Sequence, residues 1–255
     1  MGNFYPIVHN PIPDDVAPSY RVVLLLIVMT ASGKTLLAYH EAMLKALGPS
    51  CWWPGEHPLK VAVGAVLTQN TAWTNVEKAL ERLRQKNALR LDVLLHMPLP
   101  ELEEALRPSG FFRLKAQRLR NLLAFFSSFP GWDQALATGR LDFLQNTPTD
   151  ELREALLKVR GIGPETADSI LLYALDRPSF VVDAYTRRIY SRHGFFPDDV
   201  SYGEMRSFFM QALPVDVSLY NEYHALIVRT GNRFCKKRNP LCAGCPLGAF
   251  PVSGS

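Results

Sequence analysis

Two glycines separated by one aliphatic residue, Gly161-Ile162-Gly163, restrict the fold of this chain more than any other feature. A helical segment precedes them, and Pro164 follows at the position where a helix needs no backbone donor. Because glycine permits a tight turn without side chains, the stretch predicts a helical hairpin at about residues 151–176. The N–H groups that begin the second helix would suit a phosphate. The alternative is an ordinary hairpin with a glycine turn.

Apolar residues at helical spacing predict helices along most of the chain from about residue 36. No segment shows the sustained alternation that a half-buried strand requires. Ser201 with Glu204 is the pattern of a capping box at a helix start. The sequence therefore predicts an all-α protein of about ten helices. Three apolar stripes carry this prediction: Trp73, Val76, Leu80 and Leu83; Leu119, Leu122, Leu123 and Phe126; and Ala167, Ile170, Leu171 and Ala174.

Composition indicates one large or two small globular domains with a substantial core, because 47% of the 255 residues are hydrophobic and 20% are charged. The net charge of +4 and the pI of about 8.9 permit a polyanionic partner without proving one. The longest apolar run, Val22 to Met29, is too short to cross a bilayer. We interpret it as a strand or a packed arm rather than as a signal peptide. Residues 1–28 are expected to be an N-terminal extension.

An acidic residue follows three apolar residues at Phe180-Val-Val-Asp183, eighteen positions after Glu165. Such a residue is placed to cap a helix that begins at Ala184, and a plain N-cap is the alternative to a functional role. The four cysteines are also unevenly distributed, since three of them fall within eleven residues. This clustering favours a metal site in a reducing compartment over a disulfide framework.

Taken together, several motifs resemble the helix-hairpin-helix DNA glycosylase superfamily, nearest its endonuclease III branch. The resemblance covers about residues 50–250, in conventional order and spacing. The motifs are Val66-Leu-Thr-Gln-Asn-Thr71, Gly110-Phe-Phe-Arg-Leu-Lys-Ala116, Val159-Arg-Gly-Ile-Gly-Pro-Glu-Thr-Ala167, Val182-Asp-Ala-Tyr-Thr186 and Cys235-x6-Cys242-x2-Cys245.

This resemblance implies a two-lobed helical fold that binds duplex DNA in a groove and flips a damaged base out of the helix. One lobe would be a six-helix barrel, residues 53–177, that ends in the hairpin. The other would join residues 29–52 to 178–255, which include the cysteine loop. A monomer in the cytoplasm, associated with the nucleoid, is the corresponding expectation.

The catalytic set that the resemblance implies consists of Asp183, as the catalytic carboxylate, and Glu165. Related enzymes that also nick the strand place a Schiff-base lysine where this chain has Glu165, and a glutamate cannot form an imine. We therefore expect a monofunctional glycosylase. Glu165, Leu67–Thr71 and Trp52-Trp53-Pro54 resemble a subgroup that excises 3-methyladenine. The alternatives are a glycosylase and lyase acting on oxidised pyrimidines, and a hairpin protein that binds DNA without catalysis.

The same resemblance implies a set of DNA contacts. Gln69 would fill the gap left by the flipped nucleotide, and Phe111 or Phe112 would wedge the opposite strand, with plain burial as the alternative for both phenylalanines. Aromatic rings stack on flipped bases, so Trp53 and Trp73 are candidates for the base pocket, with core packing as their alternative. The remaining predicted DNA-binding residues are Gly161, Gly163, Thr166, Arg187, Lys236, Lys237 and Arg238, with Arg188 and Arg192 as additions to that surface.

The cysteine loop resembles a [4Fe–4S] loop in which Cys235, Cys242 and Cys245 would be three of the ligands. The family pattern has a fourth cysteine where this chain has Pro251. A cluster with three cysteine ligands is therefore the expectation, and the alternatives are a zinc site that uses His224 or a loop without metal. A monovalent cation at the hairpin is a further expectation from the resemblance.

Overall fold

A computed structural model describes residues 18–50, 57–138 and 140–250 of the chain, and side chains at 18–31, 137 and 138 are outside the description. These residues form twelve α-helices and no strand, which agrees with the all-α prediction. The helices are α1 (Pro18–Leu47), α2 (Pro58–Leu67), α3 (Trp73–Gln85), α4 (Leu91–His96), α5 (Leu99–Leu106), α6 (Phe112–Ser127), α7 (Trp132–Thr138), α8 (Thr149–Leu157), α9 (Pro164–Ser169), α10 (Ala184–Arg192), α11 (Tyr202–Ala212) and α12 (Val217–Arg233).

The interpretation of Val22 to Met29 as a strand was wrong, because this run lies inside the thirty-residue helix α1; the alternative, a packed arm, stays a prediction. An uninterrupted apolar run has no periodicity, so it does not distinguish a strand from a buried helix. Within the described part of the chain, no helix is both long and apolar enough to span a membrane. Trp53, Cys51 and Pro251 lie outside the described residues.

Contacts divide the chain into a central unit, residues 53–179, and a terminal unit, residues 1–52 with 180–255. The core of the central unit surrounds α2, whose residues from Val61 to Leu67 are all buried. The other helices of the central unit turn one apolar face toward this core. The residues of the three predicted stripes are buried there, except for Trp73, which is partly buried. After α9 the chain continues as a π-helix, Ile170–Ala174, that contacts α2.

The core of the terminal unit is aromatic. Phe180 stacks on Phe209 with ring centroids 4.2 Å apart and an interplanar angle of 4°. The buried hydroxyls are paired, because Tyr190 donates to Tyr223 at 2.7 Å and Tyr223 donates to the Leu36 carbonyl at 2.5 Å. Burial raises the pKa of both tyrosines. These contacts fix α10, which follows Asp183, against α1 and α12.

Candidate active site

The predicted hairpin is present between α8 and α9, and its two glycines have different roles. Gly161 has φ of +95°, and a Cβ added there would collide with the side chain of Arg118, so glycine is required. Gly163 has φ of −91° and open space around its Cβ position. Ile162 between them is buried and anchors the turn to the core of the central unit.

A buried ion pair joins the two helices of the hairpin. Arg153 of α8 donates to both carboxylate oxygens of Asp168 in α9, at 2.7 and 3.0 Å. The Asp168 side chain is completely buried and also accepts from the Ser179 hydroxyl at 2.5 Å. This clamp holds the helices that bound the glycine turn in a fixed relation.

Gln69, the predicted gap-filling residue, lies on the hairpin. Its side-chain amide donates to the Gly161 carbonyl at 3.1 Å and to the Thr166 hydroxyl at 2.9 Å. Arg118 donates to the amide oxygen of the same side chain. Gln69, Gly161 and Thr166 are therefore brought together, as residues of one DNA-binding surface would have to be.

Lys115 is a residue that sequence reasoning missed. Its Nζ is buried and donates to the Leu67 carbonyl at 2.8 Å, the Thr71 hydroxyl at 2.5 Å and the Ser109 carbonyl at 2.6 Å. It thus joins the segment that carries Gln69 to the turn before Phe111. The pKa of Lys115 is lowered to about 8, mainly by burial and to a smaller extent by the charge of Arg118.

The two candidate wedge residues differ in exposure. Phe111 is 71% exposed, and its backbone is in the left-handed region with φ of +45°. Phe112 packs partly against the core, and the guanidinium groups of Arg107 and Arg113 lie 4.8 and 5.5 Å from its ring centroid. Of the two, Phe111 is the more exposed, and its insertion into DNA stays a prediction. Glu165 is exposed in the first turn of α9.

Asp183 caps α10 as predicted. One carboxylate oxygen, Oδ1, accepts from the Thr186 backbone N–H at 2.7 Å and from its hydroxyl at 2.8 Å. The other oxygen, Oδ2, lies 3.8 Å from Nε2 of His224 in α12. Burial lowers the pKa of His224, while the charge of Asp183 acts in the opposite direction. The site therefore pairs a carboxylate that is held through Oδ1 with a buried imidazole.

The cysteine loop is held to α10 by two arginines. Arg192 donates to Cys235 Sγ at 3.2 Å and to the Lys236 and Lys237 carbonyls at 2.8 and 3.0 Å. Arg188 donates to the Cys235 carbonyl at 2.7 Å. These two guanidinium groups hold the loop to α10, and their contact with phosphates stays a prediction.

The residues of the loop do not by themselves fit the predicted metal group. Cys242 is exposed, while Cys235 and Cys245 are half-buried. Burial is the main cause that raises the pKa of Cys245. Across the described ranges, no group of three or more His, Cys, Asp or Glu side chains is arranged to hold a metal ion. The cluster with three cysteine ligands and the zinc site that includes His224 therefore stay predictions, and no chemistry below depends on either.

The remaining predicted residues are distributed over both units. In the terminal unit, Lys236, Lys237 and Arg238 are exposed on the cysteine loop. Arg187 is half-buried and donates to the Val200 carbonyl. In the central unit, Trp73 begins α3 and packs partly against the core.

Known proteins match this chain over most of its length. The family model of the HhH-GPD superfamily base excision DNA repair protein matches residues 63–214. MJ1434 of Methanocaldococcus jannaschii, named as a DNA repair glycosylase, is 44% identical over 84% of this chain and 94% of its own length. Endonuclease III of Thermotoga maritima is 30% identical over 74% of this chain and 80% of its own length.

Two solved structures share the fold. The 3-methyladenine DNA glycosylase MagIII of H. pylori, bound to 1,N6-ethenoadenine, matches with a TM-score of 0.63 and 28% identity, covering 79% of this chain and 97% of that one. Endonuclease III trapped as a covalent intermediate with DNA matches with a TM-score of 0.67 and 25% identity, covering 84% and 93%. These matches confirm the predicted helix-hairpin-helix glycosylase fold. The chain therefore belongs to the HhH-GPD superfamily of base excision DNA repair proteins.

Proposed function

We propose that this protein is a monofunctional DNA glycosylase that hydrolyses the N-glycosidic bond of an alkylated purine in duplex DNA, with Asp183 as its catalytic carboxylate. The observation that carries the proposal is the carboxylate itself, which is nearly buried at the start of α10, with one oxygen held by Thr186. In a protein that only bound DNA, the charge of this acid would repel phosphates, and an uncharged asparagine would cap α10 equally well.

The chemistry follows from the charge that develops on the sugar. Cleavage of an N-glycosidic bond gives the sugar oxocarbenium character, as in glycoside hydrolysis. Since two hydrogen bonds occupy Oδ1 of Asp183, we assign Oδ2 to the reaction. A carboxylate beneath the sugar stabilises the positive charge and orients or deprotonates the attacking water.

The residue at position 165 and the surroundings of Lys115 support hydrolysis rather than lyase chemistry. Imine formation needs an amine at the sugar C1′, and the position at which related lyases carry it is Glu165 here. Lys115 has a pKa lowered to about 8, but it is buried with three oxygen partners, which makes it a poor nucleophile. We therefore expect an intact strand with an abasic site as the product.

The preference for an alkylated purine has chemical and comparative support. An N3-alkylated purine is cationic and leaves without protonation, so the enzyme needs no general acid for the leaving group. An aromatic ring favours such a cation, and Trp73 is the described candidate for that contact. The matched MagIII structure is that of a 3-methyladenine DNA glycosylase. A duplex would be held by phosphate contacts at the hairpin and at the basic cysteine loop.

The test uses the full chain and duplex oligonucleotides that each carry one lesion: a 3-methyladenine analogue, thymine glycol, uracil or a G·T mismatch. Each reaction is divided and analysed with and without alkali. Breakage that requires alkali, for the alkylated purine and in preference to the others, would support the proposal. Breakage without alkali would instead establish lyase activity, and binding without any breakage would favour the non-catalytic alternative.

Two variants make the test specific. Asp183→Asn keeps a good helix cap but lacks the carboxylate charge, so excision should fall by about 100-fold or more. Glu165→Lys restores an amine to the lyase position and should allow borohydride to trap a covalent complex with DNA. Trapping of the unaltered protein would contradict a monofunctional mechanism.

A further inference from the structure

The imidazole of His224 lies beside the carboxylate oxygen that the proposed reaction uses. Its Nε2 is 3.8 Å from Oδ2 of Asp183, and the two side chains are 9% and 12% exposed. His224 lies on α12, and α12 packs against α10, which Asp183 caps. Because both groups belong to the terminal unit, their relation is fixed by the packing of that unit alone.

The two oxygens of Asp183 are held differently, because the described hydrogen bonds to this carboxylate are made to Oδ1. Thr186 fixes Oδ1 through its backbone N–H and its hydroxyl, and the buried Thr186 side chain cannot move away easily. Those two bonds still allow the carboxylate plane to rotate about the direction of Oδ1. A donor on the Oδ2 side would remove that freedom, and His224 is the side chain on that side.

We propose that His224 is a positioning residue, whose neutral imidazole donates from Nε2 to Oδ2 of Asp183 when damaged DNA is bound. The inference rests on the proposed function, since it assigns a role within the same catalytic step. A separation of 3.8 Å is longer than a hydrogen bond. In enzymes without substrate, however, catalytic hydrogen bonds are often long and shorten only in the reactive complex.

The charge state of the ring decides whether this contact assists the reaction. Burial lowers the pKa of His224, and Asp183 is the charged group among the described residues that acts against this effect. On α1, the ring of His40 contacts Tyr223, the residue that precedes His224 in the sequence, with ring centroids 5.1 Å apart. A neutral ring orients the carboxylate and leaves its charge available to the sugar. An imidazolium ion would pair with the carboxylate and cancel that charge, so activity should be lost in acid.

Two substitutions at His224 separate orientation from burial. His224→Gln retains an N–H donor close to the position of Nε2 but does not titrate, whereas His224→Leu removes the donor and keeps a buried apolar side chain. In single-turnover excision from a duplex that the unaltered protein cleaves, His224→Leu should be slower by roughly 10- to 100-fold, because small errors of position in an active site have effects of this size. DNA affinity should not change.

The variant His224→Gln provides a measurement, the pH dependence of the rate, that would not change if His224 had only a structural role. His224→Gln should keep a rate within about threefold of the unaltered protein, since it keeps the donor, and it should lose the part of the acid limb that protonation of His224 causes. His40→Gln is the matched control, because it alters a histidine of the same unit that does not face Asp183, and it should leave the pH profile unchanged. An acid limb that is unchanged in His224→Gln, or a normal rate in His224→Leu, would overturn the inference.

A measurement without substrate distinguishes this inference from the proposed function. In nuclear magnetic resonance titrations of the histidine nitrogens, Asp183→Asn should lower the pKa of His224, because it removes the charge that opposes burial. If no lesion is excised by the unaltered protein, the proposed function fails while this titration still reports on the pair. An unchanged His224 pKa in Asp183→Asn would show that the two groups do not interact and would refute the positioning role. Should His224→Leu fail to fold, His224→Gln alone carries the kinetic test.

Discussion

The hairpin should be sensitive to the loss of either partner of the ion pair between Arg153 and Asp168. Asp168 is completely buried, Arg153 is 19% exposed, and two hydrogen bonds join them. Removing one partner of a buried pair leaves an uncompensated charge and typically costs about 3–5 kcal/mol. Because Arg153 retains some contact with water, we expect Asp168→Asn to lower the free energy of unfolding by about 3 kcal/mol. The amide oxygen introduced by this substitution would still accept from Ser179, so that bond is not part of the loss.

Substitution of Arg153 should lower the free energy of unfolding more than substitution of Asp168, and the double substitution should lower it less. Arg153→Met strands a fully buried carboxylate, so we expect a loss of about 4 kcal/mol, near the middle of the range for a broken buried pair. Replacing both residues by apolar ones of similar size, Arg153→Met with Asp168→Leu, should restore most of the stability, since the desolvation of two charges is avoided. The difference between the double change and the sum of the single changes is the coupling of the pair.

Urea unfolding followed by circular dichroism measures these free energies, and hydrogen exchange of the α9 amides locates the loss in the hairpin. The matched control is Glu81→Gln, which breaks a bidentate but exposed pair with Arg84 in the same unit. Exposed ion pairs contribute little, so this variant should unfold like the unaltered protein. The reasoning would be refuted if the single substitutions at Arg153 and Asp168 each lowered the free energy of unfolding by less than about 1 kcal/mol, as expected for a surface pair. It would also be refuted if the double substitution lowered it by the sum of the two single effects.

Three further outcomes follow from the described contacts. Gly161→Ala should destabilise the hairpin by about 2 kcal/mol in urea unfolding, because of its positive φ and the crowding by Arg118, whereas Gly163→Ala should change stability by less than about 0.5 kcal/mol. Between pH 8 and about 10, unfolded Lys115 is protonated while the buried amine is not, so stability should rise with pH in this range, and Lys115→Met should flatten the rise. Asp183→Asn should unfold within about 0.5 kcal/mol of the unaltered protein, since asparagine caps as well as aspartate; a large loss would mean that reduced excision reflects misfolding.

Local signals in the sequence were sufficient for the class of the fold and for the hairpin. Helical periodicity and the order of glycine and proline act over a few residues, so they can be read without the rest of the chain. The same holds for Asp183, whose cap depends on Thr186 three positions later. The run from Val22 to Met29 was misjudged because eight adjacent apolar residues carry no period.

Contacts between distant segments could not be predicted in this way. Lys115 is buried because carbonyls and a hydroxyl from residues up to 48 positions away converge on its amine. One signal was available, since Lys115 lies on the same helical face as the buried Leu119 and Leu122 of α6. Gln69 reaches a hairpin more than ninety positions away, and no local pattern indicates that contact.

The buried tyrosines give the terminal unit an optical signal of its own. Burial raises the pKa of Tyr39, Tyr190 and Tyr223, all of which belong to that unit. Their phenols should stay protonated in alkali while exposed phenols ionise near pH 10. Ultraviolet absorbance of phenolate at high pH would then appear in two steps. The later step marks the moment at which this aromatic core opens, and it needs neither a label nor DNA.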